Sequence, residues 1–230
     1  NEVPRAFEFK TFDKIKEESN DKDKKYNKLR KESSIKKEIL YVTAQEHAVP
    51  SSMLAMIKYI KAEKNDYEQL ITVNSGNIKE SEERLKRYNL SDIQIITRDD
   101  EKYLKSLSEA EYIFSDCGLE YYFAAKNNQK YFNLQTDNIS AKMTRKKERE
   151  CFEFATVQKS IITPKASIYL TNESRLSFEK SYRCEMLPTS AIISDSPAFD
   201  MAGATNFASS TDKIKILFTP QFKATSGRGS

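Results

Sequence analysis

Long apolar runs and metal-binding cysteine spacings are missing from this sequence. No run approaches the ~18 consecutive apolar residues of a membrane-spanning helix. The cysteines Cys117, Cys151 and Cys184 are odd in number and show no CxxC spacing, which argues against a disulfide framework or a zinc site. We therefore expect a reducing, cytoplasmic setting.

Familiar catalytic motifs are missing as well. The sequence contains no GxGxxG, GxxxxGK[ST], HExxH or GxSxG, so it does not indicate a dinucleotide fingerprint, a P-loop, a zinc-protease helix or a nucleophile elbow. There is one histidine, His47, and no serine or cysteine nucleophile can be paired with it from the sequence. We expect no cofactor and no metal site.

Charge of either sign is not in excess. The 38 Lys and Arg and the 34 Asp and Glu give a net charge of +4, and the two signs are interspersed, which is typical of a solvated surface rather than of a nucleic-acid-binding protein. No specific nucleic-acid partner is expected. Two basic runs stand out, 22–37 and 142–149. Each is either a solvated helix face or an anion-binding patch.

The alternation of short apolar runs with amphipathic segments predicts the fold class. Predicted strands are 39–42, 68–74, 93–98, 112–114, 131–134, 159–164 and 213–223, and predicted helices are 51–65, 78–90, 100–111, 119–126, 139–155 and 173–183. Strands at intervals of about 20–30 residues with helices between them indicate a parallel sheet with right-handed crossovers. The prediction is a Rossmann-like α/β domain.

The same pattern suggests how the chain is divided. Residues 1–37 show almost no apolar periodicity after Phe12 and are predicted to be a polar arm or linker. The Rossmann-like domain is expected to cover 38–212. Residues 213–230 are expected to be the start of a truncated second domain and a tail.

Polar residues that follow predicted strands are the first candidates for a site, because open α/β sheets bind ligands at the carboxyl ends of their strands. Ser115 and Asp116 follow the strand 112–114. They either face a ligand or cap the helix predicted to follow. Cys117 is expected to be a small buried residue rather than a nucleophile.

His47, Ser51 and Ser52 follow the first predicted strand. His47 is either a general base or phosphate ligand, or a plain surface-loop residue. Ser51 or Ser52 is the predicted N-cap of the next helix, whose free N–H groups can hold an anion. That signal is weak, because such caps begin most helices.

Three segments together resemble a known family. The run YIFSDCGLEYYFAAKNNQKYFNLQTDNISAKM (112–143), SPAFD (196–200) and KIKILFTPQFK (213–223) resemble the CDP-glycerol glycerophosphotransferases, the teichoic acid polymerases and primases. Their motifs read "ISDSGLPxYF…KGQKYIxxWHGTPLKKM", "GYPRND" and "APTxR". The resemblance implies a GT-B arrangement of two Rossmann-like domains. It also implies transfer of glycerol phosphate or ribitol phosphate from a CDP-activated donor to a cell-wall polymer.

The chain departs from those motifs at the reactive positions. Gln135 and Thr136 stand where the family has the Trp and His of "WHGTP", and that histidine is the base that the resemblance implies. A threonine hydroxyl cannot replace an imidazole as a base near neutral pH. Ala198 stands for the arginine of "GYPRND", and Lys223 for that of "APTxR".

The resemblance thus predicts a degenerate glycerophosphotransferase-like domain that binds an acceptor, scaffolds or regulates polymer synthesis. Its expected partners are a phosphate-rich glycan or teichoic acid-like polymer, an anionic membrane surface and a partner transferase. Its expected location is the cytoplasm, peripheral at the inner membrane face. The ligand-binding residues are expected to be Ser51, Ser52, Ser115, Thr136, Lys142, Arg145, Lys146 and Lys147.

Two alternatives remain open from the sequence. One is an active CDP-glycerol-dependent glycerophosphotransferase or glycosyltransferase that uses His47 or Asp116 as base and is completed by a second domain or subunit. The other is a protein-interaction domain that binds a partner through the arm at 1–37.

Overall fold

A computed structural model of the chain describes residues 9–44, 48–64, 66–135, 158–185 and 190–201. The helices are α1 Phe9–Glu32, α2 Ser51–Glu63, α3 Ile78–Arg87, α4 Glu101–Glu109, α5 Asn172–Ser181 and α6 Ala198–Met201. The strands are β1 Lys36–Val42, β2 Glu68–Thr72, β3 Gln94–Ile96, β4 Ala110–Ser115, β5 Lys130–Leu134, β6 Ala166–Tyr169 and β7 Ala191–Ile193. A 3₁₀ turn spans Ser75–Asn77, and residues 158–162 are helical.

The described strands form one seven-stranded sheet in the order β3-β2-β1-β4-β5-β6-β7. Every neighbouring pair is parallel, which confirms the predicted Rossmann-like α/β class. The strand order reverses between β1 and β4, and in open α/β sheets the ligand crevice lies at the carboxyl ends of the strands at such a reversal. Within the described residues, no helix is long and apolar enough to cross a membrane.

Alternate residues of the central strands face two separate cores. On one face, Ile39 and Tyr41 of β1 pack with Met53 and Ile57 of α2. On the other face, a second cluster joins β1 and β4 to α1 and α4, and its members include Tyr26, Leu40, Val42, Leu107 and Ile113. Because the residues on both faces of β1 are apolar, this strand is a continuous apolar run, as expected for a strand covered on both sides.

The segment predicted to be a polar arm contains α1, and the last turns of that helix pack on the sheet domain. Tyr26 has no exposed surface, and its hydroxyl donates to the Ala124 carbonyl oxygen at 3.1 Å. Arg30 Nε donates to the same oxygen at 2.8 Å. Sequence periodicity missed this contact because one buried tyrosine stands among charged residues. The division of the chain into domains stays a prediction.

The helix predicted over 119–126 does not form. Residues 119–129 run through turns and irregular backbone, yet Leu119 and Phe123 are buried with Tyr26 and Tyr131. The ring of Tyr26 lies 5.4 Å from that of Tyr122 and 6.3 Å from that of Phe123. Because α1 supplies helix cover beside this loop, the loop needs no helix of its own to bury its aromatic side chains.

The strand predicted over 159–164 is also wrong, since residues 158–162 are helical and β6 begins at Ala166. Ile161 is buried against Tyr182 and Cys184. A short apolar run cannot be assigned to helix or strand by periodicity alone. The predicted N-cap of α2 needs correction too, because Pro50 occupies it without a side-chain hydrogen bond. The segments 139–155 and 213–223 lie outside the described residues.

Candidate functional site

Asp116 bridges the loops that follow β1 and β4, on the two sides of the crevice. Its carboxylate oxygen Oδ1 accepts a hydrogen bond from the Ala44 backbone N–H at 2.8 Å. Its own N–H donates to the Val42 carbonyl oxygen at 3.3 Å. The expectation that Asp116 caps a helix fails, because no helix follows in the described residues 117–129. Asp116 instead holds the two loops together at the strand-order reversal.

The Ser115 hydroxyl forms hydrogen bonds within the turn that follows β4. It has no exposed surface, its Oγ donates to the Cys117 carbonyl oxygen at 2.5 Å, and the same Oγ accepts from the Cys117 N–H at 3.1 Å. These bonds form a compact serine turn at the strand end. The hydroxyl of Ser115 therefore shapes the crevice wall.

Ser51 and Ser52 have different environments although both begin α2. Ser51 Oγ accepts a hydrogen bond from Arg84 Nη2 at 2.7 Å. Ser52 has no exposed surface. Of the two, Ser51 is the one whose hydroxyl lies near the surface, beside a guanidinium from α3.

Arg98 lies in the crevice and was not found from the sequence. It follows β3, and its Nη2 donates to the Thr43 carbonyl oxygen at 3.1 Å and to Cys117 Sγ at 2.8 Å. Its Nη1 lies 3.5 Å from Glu120 Oε1. The only available sequence signal was one arginine at the end of a predicted strand.

Glu120 links Tyr103 and Arg98 in one network of a hydrogen bond and an ion pair. Tyr103 Oη donates to Glu120 Oε2 at 2.5 Å, so Glu120 accepts from the tyrosine and pairs with Arg98. Burial by itself lowers the pKa of Arg98, but its acidic neighbours, among them the Glu120 carboxylate, raise it above its ordinary value. The guanidinium is therefore charged at every physiological pH.

Cys117 is a thiol rather than a thiolate near neutral pH. Burial raises its pKa, and this effect outweighs the lowering by the Arg98 charge. Because the thiolate is the nucleophilic form, the side chain acts here as a packing and hydrogen-bonding partner of the guanidinium. Within the part of the chain that the structure describes, no group of three or more His, Cys, Asp or Glu could hold a metal ion.

The position of Gln135 shows that β5 ends at the same carboxyl edge of the sheet as β1 and β4. Its backbone N–H donates to the Ile168 carbonyl oxygen at 2.8 Å, and its side chain is buried. The chain therefore leaves β5 at the carboxyl edge, two strands away from β1. His47, Thr136, Lys142, Arg145, Lys146 and Lys147 lie outside the described residues.

The segment after β7 returns toward the centre of the sheet. β7 is the outermost strand, but α6 packs against α2, the helix that follows β1. Met201 contacts the core on that face. The Ser196 carbonyl oxygen accepts from the Phe199 N–H at 3.0 Å and begins this short helix. The fold thus brings residues 196–201 to an element that borders the crevice.

A family model describes most of this chain. The model of the CDP-glycerol:poly(glycerophosphate) glycerophosphotransferases matches residues 25–221. The chain belongs to this family. The match begins inside α1 and includes the crevice residues, β5 and α6, so the glycerophosphotransferase assignment and the fold agree over the same part of the chain.

Solved structures give the same fold for this chain. A variant of the wall teichoic acid polymerase TagF is 17% identical, with a TM-score of 0.58, and the match covers 89% of this chain and 50% of the TagF chain. Unsubstituted TagF is 15% identical, with a TM-score of 0.55, over 84% of this chain and 48% of its own. A TagF variant with CDPG is 16% identical, with a TM-score of 0.54, over 87% and 53%.

These likenesses are too distant in sequence to show more than the fold. This chain spans about half the length of the TagF chains that it matches. No curated protein sequence matches it.

Proposed function

We propose that this chain is a glycerophosphotransferase-family domain that binds a phosphate-rich polymer, as an acceptor-binding, scaffolding or regulatory module, without the motif base. The observation that carries the proposal is the residue pair at the end of β5. Gln135 and Thr136 stand where the family motif has Trp and His, and Gln135 lies at the carboxyl edge of the sheet. A threonine hydroxyl does not titrate near neutral pH and cannot act as the base.

The proposed polymer contacts follow directly in the sequence. Lys142, Arg145, Lys146 and Lys147 come within twelve residues of Gln135, and clustered Lys and Arg satisfy phosphate groups. Arg98 does not take this role in the proposal, because Thr43, Cys117 and Glu120 already engage its guanidinium. Ser51 and Thr136 are proposed as neutral ligands, while the buried Ser52 and Ser115 shape the wall.

We expect that neutralising the basic run weakens binding of a short polyglycerol-phosphate by about fourfold or more, since four charge pairs that contribute about 0.2–1 kcal/mol each are lost, about 0.8–4 kcal/mol in total. The variant replaces Lys142, Arg145, Lys146 and Lys147 with alanine. Calorimetric titration at low and high salt measures the effect, and the affinity of the wild-type chain should fall steeply with salt.

A matched control removes four positive charges elsewhere. Lys58, Lys79, Lys86 and Lys105 are exposed on α2, α3 and α4 and lie outside both basic runs, so their replacement by alanine changes the net charge equally. If both quadruple variants lose the same affinity, binding follows net charge and the assignment to 142–147 is wrong. Polymer affinity that does not change with salt would contradict the phosphate-binding proposal itself.

The proposal also covers location and partners. A basic run that binds polyphosphate esters also attracts anionic lipid headgroups, so a peripheral position at the inner membrane face is included. A partner transferase would then supply the catalysis that the chain lacks.

The second candidate is an active CDP-glycerol-dependent transferase. The position of the Asp116 carboxylate in the crevice favours it, and His47 is its other candidate base. Our proposal instead expects no detectable release of CMP when the chain is mixed with CDP-glycerol and polymer acceptor. Turnover that disappears in His47→Ala or Asp116→Asn would overturn the proposal and support this second candidate.

A further inference from the structure

The loop 119–129 that follows the crevice turn depends on other elements for its backbone hydrogen bonds. Its residues form neither helix nor strand, so its carbonyl groups must find donors outside regular secondary structure. On the α1 side, Tyr26 Oη and Arg30 Nε both donate to the Ala124 carbonyl oxygen. The second half of the loop is therefore held by side chains of α1.

The first half of the loop is held by one lysine. Lys159 Nζ donates to the Tyr121 carbonyl oxygen and, at 2.7 Å, to the Phe123 carbonyl oxygen. Hydrogen bonds from a charged donor are about twice as strong as those between neutral groups. Burial lowers the pKa of the Lys159 amine, and the Asp23 carboxylate of α1 opposes this shift. The amine thus gives up part of its hydration where it bonds the loop.

The helical residues 158–162, which carry this lysine, are themselves fixed on the sheet. Gln158 Nε2 donates to the Tyr182 carbonyl oxygen at 2.8 Å. Asn133 Nδ2 of β5 donates to the Ser160 carbonyl oxygen at 3.0 Å. Because the residues on both sides of the lysine are bonded to other elements, its side chain reaches the loop from a fixed support.

The first half of the loop also makes the contacts with the crevice. Glu120 Oε1 lies 3.5 Å from Arg98 Nη1. Cys117 packs against a buried cluster that includes Leu119 and Phe123. The ion pair and the cover over the thiol both come from residues next to the two carbonyl groups that the lysine bonds. Movement of this backbone would disturb both.

We propose that Lys159 is a positioning residue of the crevice wall. By holding the loop backbone, it keeps Glu120 beside Arg98. It also keeps the Cys117 thiol covered. Lys147 and Lys159 belong to the same connection between β5 and β6, so one connection carries a proposed polymer contact and the residue that orders the wall. The role in polymer binding rests on the proposed function, whereas the role in holding the loop does not.

Alkylation of Cys117 in Lys159→Met tests the positioning role without any ligand. Methionine keeps an unbranched side chain but cannot donate, so the loop opens more often. We expect Cys117 of the whole chain to react about tenfold faster, the change for one lost hydrogen bond from a charged donor. Peptide mass spectrometry measures the rate. Lys159→Arg keeps the charge and the donors and should restore most of the protection.

Cys184 and Lys165 separate positioning from other effects. Cys184 is buried with Ile161 of residues 158–162, so unfolding of that helix or of the whole chain would expose it as well. We expect its alkylation rate to stay unchanged in Lys159→Met. Lys165 is exposed, and Lys165→Met, which removes the same charge, should leave both rates unchanged. Equal acceleration of both cysteines, or no acceleration at Cys117, overturns the proposal.

Binding of a short polyglycerol-phosphate tests the part that rests on the proposed function. A loosened wall must be ordered on binding, so Lys159→Met should bind about two- to tenfold more weakly than Lys165→Met, the cost of ordering one side chain. Calorimetric titration measures both affinities. Equal affinities together with faster Cys117 alkylation overturn the role in polymer binding. A wild-type chain that binds no polymer overturns the proposed function, while the alkylation result still decides the positioning role.

Discussion

Replacing Tyr26 with alanine is expected to lower the free energy of unfolding by about 3–5 kcal/mol, the range for a large buried aromatic side chain. Tyr26 has no exposed surface and packs with Leu119, Phe123 and Tyr131. The substitution also removes the hydrogen bond to the Ala124 carbonyl oxygen. Urea denaturation followed by circular dichroism measures the loss.

A matched tyrosine and a conservative change separate packing from other effects. Tyr59 is 66% exposed on α2, so Tyr59→Ala is expected to change stability by no more than about 0.5 kcal/mol. Tyr26→Phe keeps the ring and should cost about 1 kcal/mol. If Tyr26→Ala is as mild as Tyr59→Ala, then α1 does not belong to the folded core.

Replacing Arg98 with methionine is expected to have the second large effect, a decrease of about 2–4 kcal/mol in the free energy of unfolding. The substitution keeps an unbranched side chain but removes the charge. Glu120 then keeps its hydrogen bond from Tyr103 but loses its ion pair, and the Thr43 carbonyl oxygen loses the hydrogen bond from Arg98. Breaking a buried pair by removing one partner is strongly destabilising. The figure lies below the fully buried range because both side chains are about one-fifth exposed.

A double-mutant cycle with Glu120→Gln shows whether the pair itself is responsible. Residues in one network are expected to be coupled by about 0.5–3 kcal/mol, while Arg87→Met on the exposed end of α3 should be neutral. Loss of the Arg98 charge should also raise the pKa of Cys117 further, because that charge lowers it. Slower alkylation of Cys117 at a fixed pH would report this change. Additive energies and unchanged alkylation would contradict the expected coupling of Arg98 to Glu120 and Cys117.

The interaction between Arg98 and the two loops bears on the proposed function. Arg98, Asp116 and Ser115 hold the ends of β1 and β4 through bonds within the chain. A wall that is built in this way is preformed, so polymer binding at the carboxyl edge need not order these loops first. We therefore expect Arg98→Met to weaken polymer binding through the lost order of the wall.

The sequence by itself determined the class of fold and the family. Apolar runs such as 39–42 and 131–134, separated by amphipathic segments, predict a parallel α/β sheet because helical and extended periodicities differ. The segments 112–143 and 196–200 pointed to the glycerophosphotransferases, and the family model confirms that membership. These features are local, so they can be read along the chain.

Only the tertiary structure decided which residues meet in the crevice. Tyr26 and Ala124 are 98 residues apart in the chain, and Arg98 reaches Thr43 across 55 residues. Neither pair leaves a local pattern, because the contacts depend on the reversal of strand order between β1 and β4 and on the place that α1 takes beside the loop 119–129. For the same reason the short run at 159–164 was misassigned, since burial against Tyr182 and Cys184 selected its conformation.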